Sequence, residues 1–441
     1  MTGDVRRASG FFLVGTLALF APVLDGRVRP LLAAVGTVVP FVLLAAVALS
    51  STDGPIFELF ARASDREEGR LYGLAGFALA VAGLAILLVG FDLPMAAFVA
   101  AVFVLTAGNL AQTVAASRTT DPAVSVAAFA AGGTVVATVA VLGVGALGSP
   151  HPPLPVSVFV VASGSLLGAL LRSALFIRDD PLVLLSVGLV VWLLLALELD
   201  PSAQRVAAGL VLTVVLGYVA YALGTASVTG MLTGVLLALF AVVLGGYGWF
   251  VLLVTFFGLG GLSSKFRYDE KVARGIAEDN EGARGSGNVL ANSAVALVAV
   301  LGFAASDHLG VDAVLFQFAF AGAVAAALAD TFSSEFGGLF DDPRLITTLE
   351  RVDPGTDGGV TWQGALAGLV GAAIIGGLTA PFFSLGSAGT ALIVVAGFLG
   401  MVVDSLLGAT LEDGLLDNQT VNLLATLSAA LIATATALVF L

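Results

Sequence analysis

Apolar stretches long enough to cross a bilayer follow one another from end to end of this 441-residue chain. Hydrophobic residues make up 59% of the chain and charged residues only 11%, whereas a soluble domain has about 25% charged residues. Because only a helix or a closed barrel satisfies its backbone within lipid, apolar runs of about 20 residues indicate helices. The sequence therefore predicts an all-α, polytopic integral membrane protein with about 15 transmembrane helices.

The predicted spans divide between two regions of different character. Residues 1–228 form an amino-terminal transmembrane region to which no role is assigned, and residues 229–441 form a domain rich in polar motifs. The first apolar stretch has no small-residue cleavage site, so we interpret it as a first helix rather than a signal peptide. The spans lie near residues 9–24, 31–50, 71–90, 95–115, 123–147, 157–176, 181–199, 206–224, 229–244, 246–261, 288–305, 313–330, 361–381, 390–409 and 420–440.

The distribution of basic residues predicts the orientation of the chain. With a cytoplasmic amino terminus and alternating spans, fifteen of the 18 Lys and Arg residues fall in cytoplasmic segments or at their edges. Short cytoplasmic loops are enriched in Lys and Arg. We therefore expect a multi-pass protein of the cell membrane whose polar segments 262–287, 331–360 and 410–419 all face the cytoplasm.

The charge balance and the missing residue types restrict the function classes. The formal charge is −13, with Arg far exceeding Lys, which indicates a halophilic archaeon rather than an acidic-surface partner. The absence of Cys excludes disulfide and thiol chemistry, and two His residues argue against a zinc site. No nucleic-acid partner is expected.

Both lysines of the chain, Lys265 and Lys271, lie in one polar segment that also contains Arg284. One interpretation is a phosphate site in which the lysines act as point charges and the arginine as a forked donor. The other is a positive-inside anchor. Acidic residues in the same segment cancel its positive charge, so charge alone does not decide between them.

Three acids near the ends of predicted spans suggest a metal site. Asp330 can share a helix face with Ser333 and Ser334, Glu335 follows one residue later, and Asp404 is the most deeply placed acid of its half. A charged acid at the bilayer centre costs roughly 2.5–3.5 kcal/mol on insertion scales, so such residues are functional candidates. Carboxylates with phosphate oxygens commonly hold Mg²⁺. The simpler alternative is a helix end that turns polar.

Further polar residues are candidates for nucleotide binding. A Gly-rich turn at residues 353–361 opens directly into a predicted span, and a helix amino terminus presents amides to anions. Asp357, Thr361 and the pair Asp417-Asn418 could equally be ordinary helix caps. The predicted nucleotide-binding residues are Asn288, Asn292, Arg344, Thr356, Asp357, Gly358, Gly359, Asp417 and Asn418.

In order and spacing, these motifs resemble the membrane family that includes transmembrane protein 19 and the plant phytyl-phosphate kinases. More distantly, the chain is similar to polyprenol and dolichol kinases. The resemblance covers about residues 229–441. Its matching segments are Ser264-Lys-Phe with Lys271, Arg284-Gly with Val289-Leu-Ala-Asn292, Ala329-Asp-Thr with Ser334-Glu335-Phe-Gly337, Pro343-Arg-Leu-Ile-Thr-Thr348, Pro354-Gly-Thr-Asp-Gly-Gly-Val-Thr361, Asp404-Ser-Leu-Leu-Gly-Ala-Thr410 and Leu416-Asp-Asn418.

The resemblance implies a CTP-dependent isoprenoid lipid kinase, with ATP as an alternative donor. The acceptor would be a prenyl monophosphate such as geranylgeranyl phosphate, or a prenol. On this hypothesis, Mg²⁺ is held by Asp330, Glu335 and Asp404, and the catalytic residues are Lys265, Lys271, Arg284 and Asp330.

Other function classes stay open from the sequence. A transporter or flippase would need functional polar residues on both sides or at mid-depth, and inverted repeats. A cytidylyltransferase acting on a lipid phosphate would use the same nucleotide and metal but release pyrophosphate. A structural or assembly protein would leave the clustered lysines unexplained.

Overall fold

A computed structural model describes residues 3–174, 180–277, 285–412 and 414–440 of the chain. Within these ranges, 14 helices are long and apolar enough to cross a membrane, and Asp180–Ala196 is a shorter apolar helix. This confirms the predicted all-α, polytopic architecture. The chain forms two compact units, residues 1–206 and 207–441, and the boundary lies upstream of the one predicted after residue 228.

Within the described residues, the first unit is built from ten helices. They are α1 (Gly3–Gly15), which continues through the 3-10 turn Thr16–Leu19 into α2 (Phe20–Leu24), then α3 (Pro30–Ser50), α4 (Gly54–Phe60), α5 (Ala63–Glu68), α6 (Tyr72–Gly90), α7 (Met95–Ala116), α8 (Pro122–Ala146), α9 (Leu154–Ala174) and α10 (Asp180–Ala196). Helix α11 (Ala203–Leu223) contains the boundary between the units.

A buried ion cluster joins several helices of the first unit. The carboxylate of Asp180 accepts hydrogen bonds from Arg62 and, at 2.7 Å, from Arg172. Arg172 also donates to the side-chain oxygen of Asn109 at 3.3 Å. Since Asp180 is buried and charged groups in lipid are costly, this mutual pairing accounts for their presence within an apolar unit.

In the part of the chain that the structure describes, the second unit continues with nine further helices and one short hairpin. They are α12 (Val228–Phe240), α13 (Tyr247–Lys265), α14 (Tyr268–Arg274), α15 (Ser286–Ala304), α16 (Ser306–Leu309), α17 (Ala313–Gly337), the strands β1 (Arg344–Leu345) and β2 (Gly359–Val360), α18 (Trp362–Phe383), α19 (Gly386–Leu411) and α20 (Asn418–Phe440).

The boundary between two predicted spans lies at a glycine. A π-helical segment, Ala241–Gly245, ends α12, and Gly246 has a φ of 104° before α13 begins. This backbone conformation is readily available to Gly and rarely to other residues. The sequence places the same break at Gly245, one residue earlier.

Helix α17 is the centre of the second unit, where it contacts α13, α15, α18, α19 and α20. Its sequence from Ala321 to Ala329 contains mainly Ala and Gly, and this stretch is buried throughout. Small residues let membrane helices approach closely and gain van der Waals contact. On the neighbouring helices, Gly371, Gly397 and Gly400 lie against this stretch so closely that a Cβ atom would meet α17 within 3 Å.

Candidate functional site

A polar cavity of about 520 Å³ lies at one end of the second unit. The amino-terminal ends of α15 and α20, the carboxy-terminal ends of α17 and α19 and the α17–α18 connection form its wall. Helix ends carry backbone groups that have no helical partner, so polar residues are expected there. Residues from three separate ranges of the sequence, 275–292, 330–361 and 404–422, therefore meet in one cavity.

Two acids from different helices meet in the cavity. The side chains of Asp330 on α17 and Asp404 on α19 are hydrogen-bonded to each other. The Oδ1 atom of Asp404 is buried and accepts no hydrogen bond within the described structure. Asp357 and Glu412 lie close enough to interact with the charge of Asp404. Carboxylates this close to one another need a proton or a cation between them.

The position of the acid pair follows from the packing of small residues. Ala329, Ala372 and Met401 form one buried cluster that joins α17, α18 and α19. Ala329 directly precedes Asp330, and Met401 lies one helical turn before Asp404. Because close-packed helices leave little freedom, the cluster fixes the separation of the two acids.

A second wall of the cavity consists of four asparagines. Asn288 and Asn292 lie one turn apart on α15, and Asn418 and Asn422 repeat this spacing on α20. The Asn422 amide donates to the Asn418 side chain at 2.8 Å, and the Asn292 amide donates to the Asn288 backbone at 3.0 Å. The Oδ1 atom of Asn288 is buried and has no hydrogen-bond partner in the described structure. Amide groups offer both donors and acceptors to a ligand.

The Gly-rich turn closes the cavity as part of a hairpin. Strands β1 and β2 pair antiparallel, and Gly358 has a φ of 71°. A Cβ atom at Gly358 would lie 2.6 Å from the Ser405 carbonyl oxygen on α19, so glycine permits this contact. Thr361 caps α18 by accepting a bond from the Gly364 amide at 3.1 Å, which confirms the capping alternative for Thr361.

The amides of the turn are only partly available to an anion. The Gly359 amide donates to the Thr356 carbonyl at 2.9 Å, and the Thr356 hydroxyl donates to the Asp353 carbonyl at 2.7 Å. Thr356, Asp357, Gly358 and Gly359 all line the cavity. These residues therefore contribute the shape of the cavity wall, the Asp357 carboxylate and the hydrogen-bonding atoms that the hairpin leaves exposed.

The described wall of the cavity is acidic. It includes Asp330, Asp357, Asp404 and Glu412, and none of the described lining residues is Lys or Arg. A polyphosphate would be repelled by this wall unless cations accompanied it. The acid pair and the buried Asp404 oxygen fit Mg²⁺, which binds one or two carboxylates together with water and substrate phosphates. Among described residues, no group of three or more His, Cys, Asp or Glu side chains forms a complete protein-only metal site.

Lys271 and Glu335 form a buried ion pair instead of lining the cavity. Their exposed side-chain fractions are 1% and 8%. The Lys271 ammonium also donates to the carbonyl oxygens of Ser263, at 2.7 Å, and Ser264, at 3.3 Å. Three acceptors match the three protons of an ammonium group. The geometry therefore supports a structural role for this pair, and the phosphate and metal contacts expected from the sequence stay predictions.

Three other predicted basic residues also differ from expectation or lie outside the described structure. The exposed Lys265 donates to the Leu223 carbonyl at 2.9 Å, and the exposed Arg344 donates to the Leu349 carbonyl at 2.6 Å. Neither belongs to the cavity lining. Arg284 lies outside the described residues, so its predicted role stays a prediction.

Asp417 acts as a cap for α20. Its Oδ1 atom accepts hydrogen bonds from the Thr420 amide at 2.9 Å and the Thr420 hydroxyl at 2.6 Å. These bonds lower the pKa of Asp417 below its ordinary value, because they stabilise the ionised form. Its contribution to stability is therefore present above the unfolded-state pKa and is lost as the pH falls through the lower folded-state value.

Several residues of the cavity were absent from the prediction. Asn422, Ser405 and Glu412 line it and are not among the predicted site residues. The i, i+4 spacing of Asn418 and Asn422, which copies that of Asn288 and Asn292, was a signal that could have identified Asn422.

Sequence comparisons extend this description. Residues 211–430 match the integral membrane protein family DUF92, and this range contains every described residue that lines the cavity. An uncharacterized membrane protein of Methanocaldococcus jannaschii is 38% identical over 196 residues, which is 42% of this chain and 75% of the relative. The chain belongs to this family.

Two further relatives have lower sequence identity to this chain. Protein VTE6, chloroplastic, of Arabidopsis thaliana is 29% identical over 171 residues, covering 38% of this chain and 51% of VTE6. An uncharacterized membrane protein of Synechocystis is 31% identical over 193 residues, covering 43% of this chain and 74% of that protein. No solved structure matches the chain significantly.

Proposed function

We propose that this protein is a membrane phosphotransferase that moves the γ-phosphoryl group of CTP to an isoprenoid monophosphate at the cytoplasmic face. In this reaction a phosphate oxygen of the acceptor forms a bond to the γ-phosphorus. The bond from that phosphorus to the β–γ bridging oxygen breaks, and CDP leaves. The observation that carries the proposal is the cavity in which Asp330 and Asp404 meet two pairs of asparagines.

The residues of the cavity suit phosphoryl transfer because this reaction depends mainly on positioning and charge neutralisation. The amides of Asn288, Asn292, Asn418 and Asn422 can donate hydrogen bonds to phosphate oxygens or to a nucleotide base. Asp330 and Asp404 would hold Mg²⁺, which when bound offsets the negative charge of the donor phosphates. An acceptor that is already a monophosphate arrives as a nucleophile and needs no base.

Two further lines support a lipid kinase over the other classes. The motifs shared with the plant phytyl-phosphate kinases include Asp330, Asp404 and Asn418, all of which line the cavity. The similarity to the plant protein VTE6 covers 38% of this chain. A transporter route would need polar groups at mid-depth or at both ends, whereas these residues gather at one end of the unit.

The decisive experiment follows labelled phosphate from nucleotide to lipid. Purified protein in bilayer nanodiscs is incubated with Mg²⁺, γ-labelled CTP or ATP, and geranylgeranyl phosphate or geranylgeraniol. We expect the label in geranylgeranyl diphosphate with CTP as the better donor. Label released as pyrophosphate would identify a cytidylyltransferase instead. Failure of both nucleotides with every prenyl acceptor would exclude the kinase.

A matched set of variants tests the site. We expect Asp404→Asn and Asp330→Asn to lower the turnover by about 100-fold to 1,000-fold, the usual cost of removing a group that stabilises transition-state charge. Asp417→Asn is the control, because Asn caps a helix about as well as Asp. Turnover at the wild-type level in Asp404→Asn would remove this carboxylate from the mechanism.

A further inference from the structure

A second, apolar cavity lies in the same unit as the polar one. It has a volume of about 190 Å³ and is bounded by α11, α12, α13 and α15. We call it the apolar groove. Its lining includes Leu223, Gly234, Gly258, Leu262 and Val289. Along α13 it extends from Leu262 to Val254, which is about 12 Å at 1.5 Å per residue.

Two glycines keep the groove open. A Cβ atom at Gly234 or at Gly258 would meet no other atom within 4 Å. Neither residue has a positive φ, so the backbone at these positions does not require glycine. Glycine in a helix interior costs about 1 kcal/mol relative to Ala. Glycine at both positions therefore leaves open space in the groove. Neither a turn nor a close helix contact requires glycine there.

The groove adjoins the polar cavity through α15. Asn288 lines the polar cavity, and the next residue, Val289, lines the apolar groove. Consecutive residues of a helix lie on adjacent faces, about 100° apart. Both cavities therefore reach the same turn of α15, with a polar ligand site on one face and an apolar one beside it.

A cation lies at the rim of the groove. The ammonium group of Lys265 donates to the carbonyl oxygen of Leu223 at 2.9 Å, and Leu223 lines the groove. Lysine commonly extends its apolar stem along hydrophobic surface and keeps its charge in water. The groove thus combines apolar walls with a positive charge at its rim, which matches an amphiphile with an anionic head.

We propose that the apolar groove binds the isoprenoid tail of the acceptor lipid, with the acceptor phosphate at the α15 turn shared with the polar cavity. This inference rests on the proposed kinase function and adds the place and the chemistry of acceptor recognition. The tail beyond the 12 Å of α13 would continue into the bilayer. The side chains that line the groove therefore contact the first isoprene units next to the phosphate.

Filling the groove tests the proposal. In Gly258→Leu and Gly234→Leu, the new side chain occupies open space inside the groove. The matched control is Gly377→Leu on α18, where a Cβ atom also meets nothing within 4 Å but which lines neither cavity. Thermal unfolding of each variant in detergent, and Gly258→Ala as a milder change, separate a filled groove from a failed fold.

We expect the two groove variants to raise the KM for geranylgeranyl phosphate by about tenfold or more, equal to about 1.4 kcal/mol of binding free energy. The KM for CTP and the unfolding temperature stay unchanged, and the control matches the wild type. A geranylgeranyl phosphate probe with a diazirine on its first isoprene unit should label α12 or α13 in the wild type and lose this labelling in Gly258→Leu.

The outcomes separate the groove from the kinase. If the wild type transfers phosphate while both Leu variants keep its KM and its labelling, the tail lies elsewhere and the groove holds bulk lipid. If the probe labels the groove but no phosphate is transferred, the lipid site stands and the kinase proposal fails. Labelling that Leu substitutions leave unchanged overturns the groove in either case.

Discussion

At the scale of single residues, the site depends on acids that the membrane makes costly. Asp330 and Asp404 lie near the ends of apolar helices and are hydrogen-bonded to each other. A carboxylate within an apolar span is costly unless it has a partner. Two such acids this close together need a proton or a cation between them.

A double variant tests whether the ion pair of Lys271 and Glu335 stabilises the fold. Lys271→Ala leaves the Glu335 carboxylate buried without its cation, so we expect a loss of about 3–5 kcal/mol of stability. Lys271→Met combined with Glu335→Leu removes both charges and should restore most of the unfolding temperature. Lys265→Ala, at an exposed position, is the control for the effect of losing a lysine on the unfolding temperature alone.

Activity measurements on the same proteins distinguish structure from catalysis. If the pair is structural, phosphate transfer returns with stability in the double variant. A double variant that unfolds at the wild-type temperature but stays inactive would instead restore the catalytic role predicted for Lys271. Both readouts are needed, because the single variant loses activity under either explanation.

At the scale of elements, the site depends on how closely the helices approach α17. A Cβ atom at Gly371 would lie 2.9 Å from the Leu328 carbonyl oxygen, which belongs to the α17 backbone. The main chain yields less readily than a side chain, so a methyl group here would push α18 away from α17. Asp330 lies two residues after Leu328 in the sequence.

Gly371→Ala should therefore destabilise the protein and impair the site. Overpacking in a close-packed interior costs about 1–3 kcal/mol, and we expect a lower unfolding temperature together with reduced phosphate transfer. Gly377→Ala on the same helix adds a methyl group in open space and should be neutral or slightly stabilising. Equal unfolding temperatures for the two variants would contradict the proposed contact.

At the scale of the whole molecule, the polar cavity and the apolar groove both belong to the second unit. The family match covers residues 211–430 and leaves the first unit outside it. The similarity to the Methanocaldococcus jannaschii relative covers 75% of that protein but only 42% of this chain. The matched segment thus makes up most of that relative but less than half of this chain.

We therefore predict that the second unit functions by itself. A chain of residues 203–441, which keeps α11 whole, should insert into membranes and transfer phosphate within about tenfold of the full-length rate, a difference of about 1.4 kcal/mol in activation free energy. The comparison uses protein in nanodiscs, with Asp404→Asn in the short chain as the inactive control. A short chain that is folded but inactive would assign the first unit a part in the reaction.

The sequence alone determined the class of the fold and named candidate residues for the site. The length of the apolar runs predicts helices, because within lipid the backbone groups can form hydrogen bonds only with one another. The cost of placing an acid within an apolar span made Asp330 and Asp404 candidate site residues. The spacing of Asn288 and Asn292 predicted a polar helix face. The prediction of the fold class succeeds because it depends on residues that are close in sequence and on the solvent that surrounds them.

Tertiary structure alone decided which of these groups meet. It paired Asp404 with Asp330, and it paired Lys271 with Glu335 outside the described lining of the cavity. It also gave Asp417 to a helix cap and added Asn422 to the cavity wall. The reason is that a charged side chain pairs with the nearest suitable group in space. Helix packing, rather than separation in the sequence, determines which group is nearest.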